Sequence, residues 1–575
     1  MPIRFLAFMC ATACVTCWLN IRHTAVDSRF QPYQPTMISS IQTAILAGIL
    51  SHVAYFHHGE HHLYGTIYLK LFGALYTTSV ALLHVSWGTA WMEAWATVSL
   101  HATSYLVGVF GSLLVYRLMF NPLADFPGPW AARISSLWFP LQFRNNNRHF
   151  KLVELHDRYG PYIRIGPAEL SIIDPKANDI IYGSSSPCTK STFYDHSYPN
   201  NSLQTTRDPV QHQQRRRLWS RAFGSKRLRG YDQRIRKYRR KLVDQLVKMN
   251  GQPVNANKWF GLYSYDVMGD LAFGEGFGSL ERGEHHWAMQ LIVEALEAMG
   301  IGLPTWLFRM VVAIPGLMKG WRKLLEYSEA RLMERMNNEP DVPDISASLL
   351  APLKGQAPDA EERLWLGGDC RLIIVAGSDT TTITLTALFY ELAKHPEQIE
   401  RLRAELTPYV EGDLHEGFLD DKISHLEHLN GVINEALRLY PAVPSAIPRV
   451  TPPEGISVNG VFIPGNTTVI CPAYVMGRSE LSYKKPLEFI PERWYQQPEL
   501  IHDESAFAPF SIGAYNCIGK PLALQNLRTT VAQLVMTFDV QFAPGFEADK
   551  FVERSKDNAA LEFGDLDLVF TPRKL

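Results

Sequence analysis

The 575-residue sequence predicts a mainly α-helical fold with a small β region, preceded by N-terminal transmembrane helices. The first 123 residues are apolar and carry only five Lys or Arg and three Asp or Glu residues. After them, apolar residues recur at intervals of three and four, which is the period of an amphipathic helix. Runs of β-branched and aromatic residues, typical of strands, are short and few.

Composition excludes several classes of protein. Aromatic residues make up 11% and hydrophobic residues 46% of the chain, which excludes a largely disordered protein. A net charge of -1 argues against bulk nucleic-acid binding, because little positive charge is available to neutralise phosphates. Seven cysteines in so long a chain are too few for a disulfide scaffold.

Four apolar stretches, at residues 5–19, 37–56, 68–85 and 95–116, predict an anchor of three or four membrane-spanning helices. Lys70 lies near the end of the third stretch, where its amine can reach the membrane surface. The first stretch is short, so a cleaved signal sequence is the alternative to a span. No convincing small-residue cleavage site follows it, which favours a retained helix.

A stiff turn marks the end of this anchor. Phe126, Pro127, Gly128 and Pro129 follow the last apolar stretch, and two prolines around a glycine cannot continue a helix. We therefore place the domain boundary near residue 123, with a second domain at residues 124–575. Its predicted helices cover residues 231–249, 287–299, 321–336, 364–392, 396–406, 425–439 and 520–538, and its predicted strands residues 162–165, 170–173, 461–463 and 467–471.

The most informative segment of this domain is a glycine-bracketed loop at residues 509–520, which contains one cysteine, Cys517, just before a helix. A helix N-terminus stabilises a thiolate, and a cysteine thiolate can ligate haem iron. An isolated cysteine is more often a small buried apolar residue. The glycines around Cys517 favour the ligand, because they allow close backbone approach.

The pattern Phe510-x-x-Gly513-x-x-x-Cys517-x-Gly519 resembles the haem-binding loop of cytochrome P450 monooxygenases. The resemblance implies the cytochrome P450 fold, haem b as the cofactor, Cys517 as the axial iron ligand and Phe510 beside the thiolate. The family usually has a basic residue two positions before the cysteine, where this chain has Tyr515. A phenol can donate a hydrogen bond to a haem propionate but carries no charge.

Two further motifs follow the family's order. Glu435 and Arg438 are three residues apart on a predicted helix, a spacing that lets them pair, and with Arg493 they resemble the family's buried Glu-Arg-Arg network. The resemblance implies a structural role for these three residues. Asp379 and Thr380, in a segment similar to the oxygen-activation motif, take the proton-delivery positions.

Three basic residues match positions that contact haem propionates in the family. His212 and Arg216, four residues apart, match one motif, and Arg449 matches another. The run at residues 215–217, with Arg221 nearby, admits two interpretations: a docking site for an acidic electron donor, or a solvated face.

The resemblance, including the segment at residues 116–129, is to fungal microsomal members of the family, many of which act in secondary-metabolite pathways. It implies an enzyme that oxidises an apolar small molecule with O2 and with electrons from NADPH, delivered by a separate flavoprotein reductase. It also implies a multi-pass protein of the endoplasmic reticulum with its catalytic domain in the cytosol. The glycosylation patterns at Asn200 and Asn466 would then stay unmodified. The sequence does not choose among a terpenoid, polyketide or alkaloid substrate.

The sequence leaves three alternatives open. The histidine cluster at residues 57–62 has ligand types suited to non-haem iron, as in a membrane di-iron oxidase, but it also fits a polar loop between helices. A thiolate-haem enzyme that rearranges a peroxide needs no reductase, and Asp379 and Thr380 argue against it. A haem sensor without turnover is disfavoured by the same two residues.

Overall fold

The computed structural model describes residues 37–143, 145–338, 343–410, 414–445 and 447–573. Its contacts divide the chain into two compact units. The first contains the N-terminal residues to Asp125 together with Trp130–Ser135 and Pro304–Leu317, and the second contains nearly all the rest. The predicted helix at residues 5–19 lies outside the described residues.

The mainly α-helical fold class is confirmed. The helices, in chain order, are α1 (Met37–Ser51), α2 (Gly65–Trp87), α3 (Trp91–Val115), α4 (Arg148–Tyr159), α5 (Ala177–Tyr182), α6 (Pro209–Ser220), α7 (Ser225–Lys248), α8 (Ala256–Phe273), α9 (Ser279–Arg282), α10 (Trp287–Gly300), α11 (Thr305–Ala313), α12 (Lys319–Asn337), α13 (Ile345–Leu350), α14 (Ala360–Lys394), α15 (Pro396–Leu406), α16 (Asp420–Ile423), α17 (Glu427–Leu439), α18 (Ala473–Met476), α19 (Lys520–Thr537) and α20 (Ala548–Glu553).

The small β region consists of short strands. They are β1 (Tyr162–Gly166), β2 (Glu169–Ile172), β3 (Thr189–Lys190), β4 (Pro253–Asn255), β5 (Arg449–Val450), β6 (Ile456–Val458), β7 (Val461–Ile463), β8 (Thr468–Ile470), β9 (Phe538–Phe542), β10 (Lys556–Asp557), β11 (Leu561–Glu562) and β12 (Asp567–Pro572). The main sheet has the order β1-β2-β8-β5-β3, in which only the β2/β8 pair is parallel. In it, Lys190 of β3 lies directly opposite Arg449 of β5.

The first unit is built on three long apolar helical segments. Ser39–Phe56, Gly65–Trp87 and Trp91–Phe120 are each long and apolar enough to cross a membrane. Only 22%, 6% and 22% of their apolar windows are buried, so most of their apolar surface faces outward. Exposed apolar surface of this extent is typical of a lipid-facing segment.

Two helices of this unit approach each other unusually closely. A Cβ added to Gly48 of α1 would lie 2.2 Å from the Tyr105 carbonyl oxygen, and one added to Gly108 of α3 would lie 2.1 Å from that of Ile45. Close approach at small residues is how helices pack in lipid. A hydrogen bond of 2.8 Å between His52 Nδ1 and the Ser112 hydroxyl joins the same segments.

The second unit is organised around α14, a helix of 35 residues capped by Asp359 at its N-terminus. Although α14 is also apolar enough to span a membrane, 67% of its apolar window is buried inside this unit. It packs along α8, which is buried along almost its whole length. This pair of helices forms the centre of the core. Within residues 372–380 of α14, Ile373, Ile374 and Ser378 are buried, whereas the other residues are half-buried or exposed.

Candidate active site

Cys517 lies in the turn between a single helical turn at Gly513–Tyr515 and α19. Its backbone N–H donates a 2.8 Å hydrogen bond to the Phe510 carbonyl oxygen, which closes the loop. Gly513 has φ +69°, and a Cβ there would lie 2.2 Å from the Tyr182 carbonyl oxygen. Only glycine fits this position, so the loop is held tightly against the chain that follows α5.

The Cys517 thiol differs from the other described cysteines. Its side chain is exposed, whereas Cys188, Cys370 and Cys471 are buried. The protein around the thiol still desolvates a thiolate, which raises its pKa, while the backbone N–H groups of Gly519 and Lys520 act in the opposite direction. The Cys517 sulfur therefore lies exposed just before the start of a helix, a position that suits a haem iron ligand.

Three basic side chains contact the ring of Tyr515, and a fourth bonds the next residue. The Lys190 Nζ lies 4.9 Å and the Arg449 guanidinium carbon 5.0 Å from the ring centroid, and the His212 ring centroid lies 4.6 Å away. Arg216, one helical turn after His212 on α6, donates a 2.8 Å hydrogen bond to the Asn516 carbonyl oxygen. The neighbourhood of Tyr515 therefore contains one more basic side chain, Lys190, than the motifs predicted.

This basic cluster, Lys190, His212, Arg216 and Arg449, forms no ion pair with a carboxylate among the described residues. Burial, followed by the charges of Arg449 and Arg216, lowers the pKa of Lys190 to about 6. Burial and the three neighbouring cations lower the pKa of His212 to about 3. The Arg449 Nε is buried without a hydrogen-bond partner. Basic side chains whose charged forms repel one another suit a bound anion, and the carboxylates of haem fit them.

Lys190 is a residue that sequence analysis missed. A lone lysine carries no local signal, and its importance arises from the pairing of β3 with β5, which sets it opposite Arg449. Its Nζ also donates to the carbonyl oxygens of Leu203, at 3.1 Å, and Gln204, at 2.6 Å. These bonds hold the amine beside the ring of Tyr515, the residue that stands at the sequence position where the resemblance implies a basic side chain.

The basic run at residues 215–217 divides between two environments. Arg215 is buried and bonds Asp369, at 2.6 Å, and Glu362, at 2.7 Å. It therefore cannot form part of a docking surface, contrary to one of the two interpretations of this run. Arg217 and Arg221 are exposed, because the helical period turns them away from the core.

Glu435, Arg438 and Arg493 lie together, and their side chains are fully buried. The carboxylate of Glu435 accepts hydrogen bonds from Arg438, at 2.8 and 2.9 Å, and from Arg493, at 2.9 and 3.1 Å. The Trp494 indole and the Ile490 backbone N–H donate to the same carboxylate, each at 2.9 Å. Both arginines also donate to backbone carbonyls of the 477–500 segment. The network thus joins α17 to the long segment before the Cys517 loop.

Asp379 and Thr380 are adjacent on α14 but differ in surroundings. The Thr380 hydroxyl is exposed and donates a hydrogen bond of 2.7 Å to the Ala376 carbonyl oxygen. The Asp379 Oδ1 accepts a 2.6 Å hydrogen bond from the Tyr265 hydroxyl of α8. Burial raises the pKa of Asp379 to about 7, so this carboxyl can hold or release a proton near neutral pH. Among the described residues, no hydrogen bond links either residue to the Cys517 loop.

The histidine cluster at residues 57–62 lies in the loop between two apolar helical segments. Both ring nitrogens of His61 have partners: Nδ1 lies 2.7 Å from the Tyr68 hydroxyl, and Nε2 lies 2.9 Å from the His58 carbonyl oxygen and 3.2 Å from that of Tyr55. His61 therefore has no ring nitrogen available for a metal in this arrangement.

Comparison with known proteins places these features in one family. Residues 127–561 match the sequence model of cytochrome P450. A cytochrome P450 monooxygenase notG' of Aspergillus versicolor is 47% identical over 528 residues, covering 92% of this chain and 97% of the relative. Tryprostatin B 6-hydroxylase of Aspergillus fumigatus is 46% identical, covering 94% and 98%. Cytochrome P450 monooxygenase lcsK of Purpureocillium lilacinum is 40% identical, covering 92% and 97%.

Proposed function

We propose that this chain, which belongs to the cytochrome P450 family and is a haem-thiolate monooxygenase, hydroxylates an apolar small molecule. In this proposal Cys517 is the iron ligand, and Asp379 and Thr380 are the proton-delivery residues. The observation that supports this proposal is the exposed Cys517 thiol near a cluster of basic side chains that pair with no carboxylate among the described residues. Haem supplies the oxygen chemistry when bound, and the protein orients substrate and excludes water.

The residues around the cofactor have separate tasks in this proposal. Cys517 holds the iron of haem b, and Phe510 and Gly513 shape the loop that presents its thiolate. His212, Arg216, Arg449 and the additional Lys190 would hold the propionates, whose carboxylates would favour the charged form of Lys190. The network of Glu435, Arg438 and Arg493 is structural and fixes the segment that leads to the loop.

The reaction inserts one oxygen atom of O2 into the substrate and reduces the other to water, which takes two electrons and two protons. Members of the family receive these electrons from a redox partner. For this chain we propose NADPH as their source and a separate flavoprotein reductase as the carrier. In this proposal Asp379 holds a proton near neutral pH, and the adjacent Thr380 hydroxyl takes part in its delivery.

Tryprostatin B is the first substrate to test, because two relatives, 46% and 44% identical to this chain, are named tryprostatin B 6-hydroxylases. The remaining relatives named above carry no substrate in their names. Product analysis by mass spectrometry would detect a gain of one oxygen atom and its position.

The proposed location is the membrane of the endoplasmic reticulum, with residues 1–123 as anchor and residues 124–575 as the catalytic domain in the cytosol. The apolar, outward-facing helices α1, α2 and α3 support the anchor. A cytosolic domain leaves Asn200 and Asn466 without glycans, so an unchanged mass after glycosidase treatment of microsomal protein is expected. Glycans on either residue would place the domain in the lumen.

The assignment of Cys517 is tested by the spectrum of the reduced, CO-bound protein in membranes. The wild type is expected to show the strongly red-shifted Soret band of a thiolate haem, and Cys517→Ala is expected to lose it. Cys188→Ala, which removes a buried thiol, serves as the control and keeps the band. A red-shifted band that survives in Cys517→Ala would refute the ligand.

A further inference from the structure

Helix α8 carries two buried tyrosines whose hydroxyls serve different partners. Tyr263 donates to Asn526 of α19, at 2.5 Å, and contacts the Thr530 hydroxyl at 2.9 Å. Tyr265 donates to the Oδ1 atom of Asp379, at 2.6 Å. The Oδ2 atom of Asp379 is buried and has no hydrogen-bond partner among the described residues.

We propose that Tyr265 is a positioning residue for oxygen activation, because its hydroxyl holds Oδ1 of Asp379 and leaves Oδ2 as the atom that carries the exchangeable proton. An oxygen that accepts a hydrogen bond from a phenol is the less favourable place for the carboxyl proton, so that proton resides on the other oxygen. The proposal rests on the role of Asp379 as proton carrier in the proposed function.

Tyr265 acts through Asp379 and does not itself deliver the proton. Burial beside the Asp379 carboxyl raises the pKa of Tyr265 well above its ordinary value, so the phenol keeps its proton throughout the pH range of the enzyme. It remains a hydrogen-bond donor whether Asp379 is charged or neutral. The phenol therefore fixes the direction of the carboxyl during each cycle of proton loss and gain.

Packing between α8 and α14 keeps the two side chains in register. A Cβ added to Gly377 would lie 2.5 Å from the Cε of Met268, so the two helices are in close contact one turn from Tyr265. Further along, the Thr386 hydroxyl bonds the side chain of Asn257 at 3.1 Å. Contacts on both sides of the Tyr265–Asp379 pair leave little freedom for either helix to slide.

The charged groups that face Asp379 set the direction of the expected effect. The phenol of Tyr265 stabilises the carboxylate and lowers its pKa, while Glu562 of β11 raises it by charge repulsion. Besides the neutral phenol of Tyr265, Glu562 is the charged group that acts on this carboxyl among the described residues. Removal of the Tyr265 hydroxyl is therefore expected to raise the pKa of Asp379.

The balance between two products of O2 reduction reports proton delivery without any substrate. Two electrons and two protons convert O2 to hydrogen peroxide, and four of each convert it to two molecules of water. NADPH supplies the electrons through the reductase. Slow or misdirected proton delivery favours peroxide, so the peroxide formed per NADPH oxidised can be measured on the substrate-free holoenzyme across pH 6–9.

We expect Tyr265→Phe to raise the peroxide yield per NADPH by roughly tenfold at neutral pH, the effect of about one hydrogen bond to a charged group. The fraction of O2 that is reduced to water should fall on the alkaline side of its pH profile, and this alkaline limb should move to higher pH. Haem content and the CO-bound spectrum should not change. Tyr263→Phe, two residues away on the same helix, is the matched control and should leave the pH profile in place.

A second variant tests the same bond without removing it. Incorporation of 3-fluorotyrosine at position 265 makes the phenol more acidic and a stronger donor, so the alkaline limb should move to lower pH, opposite to Tyr265→Phe. This replacement also serves if Tyr265→Phe does not fold. A limb that stays in place in these variants would overturn the positioning role.

Asp379→Asn separates this inference from the proposed function. If Asp379→Asn raises the peroxide yield while the Tyr265 variants match wild type, only the positioning role fails. If Asp379→Asn has the wild-type yield, Asp379 is not the proton carrier, and the proposed relay fails together with the role of Tyr265.

Discussion

In the N-terminal unit, α1 and α3 meet at Gly48 and Gly108, whereas the catalytic unit is packed around apolar side chains and a buried ionic network centred on Glu435. Lipid chains are as apolar as a leucine side chain, so helices in a membrane gain little by burying apolar surface. Close backbone approach and a polar bond such as His52–Ser112 take over that role. In water, apolar burial supplies the stability, and buried charges are tolerated only when fully paired.

The largest expected effect comes from breaking the ionic network. Glu435→Ala leaves Arg438 and Arg493 buried without their carboxylate, a loss of about 3–5 kcal/mol. We expect no haem-loaded protein in membranes, measured by the CO-bound spectrum. The matched control is Glu488→Ala, which breaks the pair with Lys485 at the same three-residue spacing but on an exposed surface, with an expected loss below about 1 kcal/mol. Equal losses in the two variants would show that burial does not govern these pairs.

A second prediction compares Glu435 with a buried acid that has no cationic partner. The folded-state pKa of Asp379, about 7, lies above its unfolded value of 3.8, so the folded protein binds more protons between these two pH values. Its contribution to stability is therefore lost as pH rises through that window, at about 1.4 kcal/mol per pH unit. Asp379→Asn removes this dependence, so its stability relative to wild type should increase from pH 5.5 to 7 and level off above. Denaturant midpoints across pH measure the difference, and a constant difference would contradict the raised pKa.

The smallest expected effect lies in the N-terminal unit. Gly108→Ala places a methyl group against the Ile45 carbonyl oxygen and should separate α1 from α3 at a loss of about 1–3 kcal/mol. Hydrogen exchange of the full-length protein in detergent should become faster in α1 and stay unchanged in α14. Gly111→Ala, on the same helix with nothing within 4 Å of the added atom, is the control and should not increase exchange. If both variants accelerate exchange in α1, close packing at Gly108 is not the cause, since an alanine in place of glycine favours the helix itself.

Elements with a strong local pattern were predicted well from the sequence. The predicted helix at residues 396–406 has the same bounds as α15, and the predicted helix at 364–392 is the inner part of α14. The first turn of α14 was missed because its residues are polar and its cap, Asp359, comes before any apolar repeat. The strands β3 and β5 have two residues each and were missed, since so short a run has no period.

The residues of the candidate site also fall into two groups, those that a local motif predicts and those that it does not. Cys517, Glu435 and Asp379 stand in motifs of fixed spacing, and a single sequence was enough to single them out. Lys190 and Tyr265 belong to no motif, because each meets its partner across the fold: Arg449 through the β3/β5 register, and Asp379 through the packing of α8 on α14. Residues of this kind are found only when tertiary contacts are known.

The basic cluster around Tyr515 also bears on how much of this protein a cell can accumulate. Burial and mutual repulsion of these four basic side chains disfavour the compact chain until an anion binds between them, so haem binding and folding are thermodynamically linked. By mass action, the folded fraction rises with the supply of haem. A host with limited haem synthesis will therefore degrade or aggregate much of the newly made chain, and feeding a haem precursor should raise the yield of total protein as well as its activity.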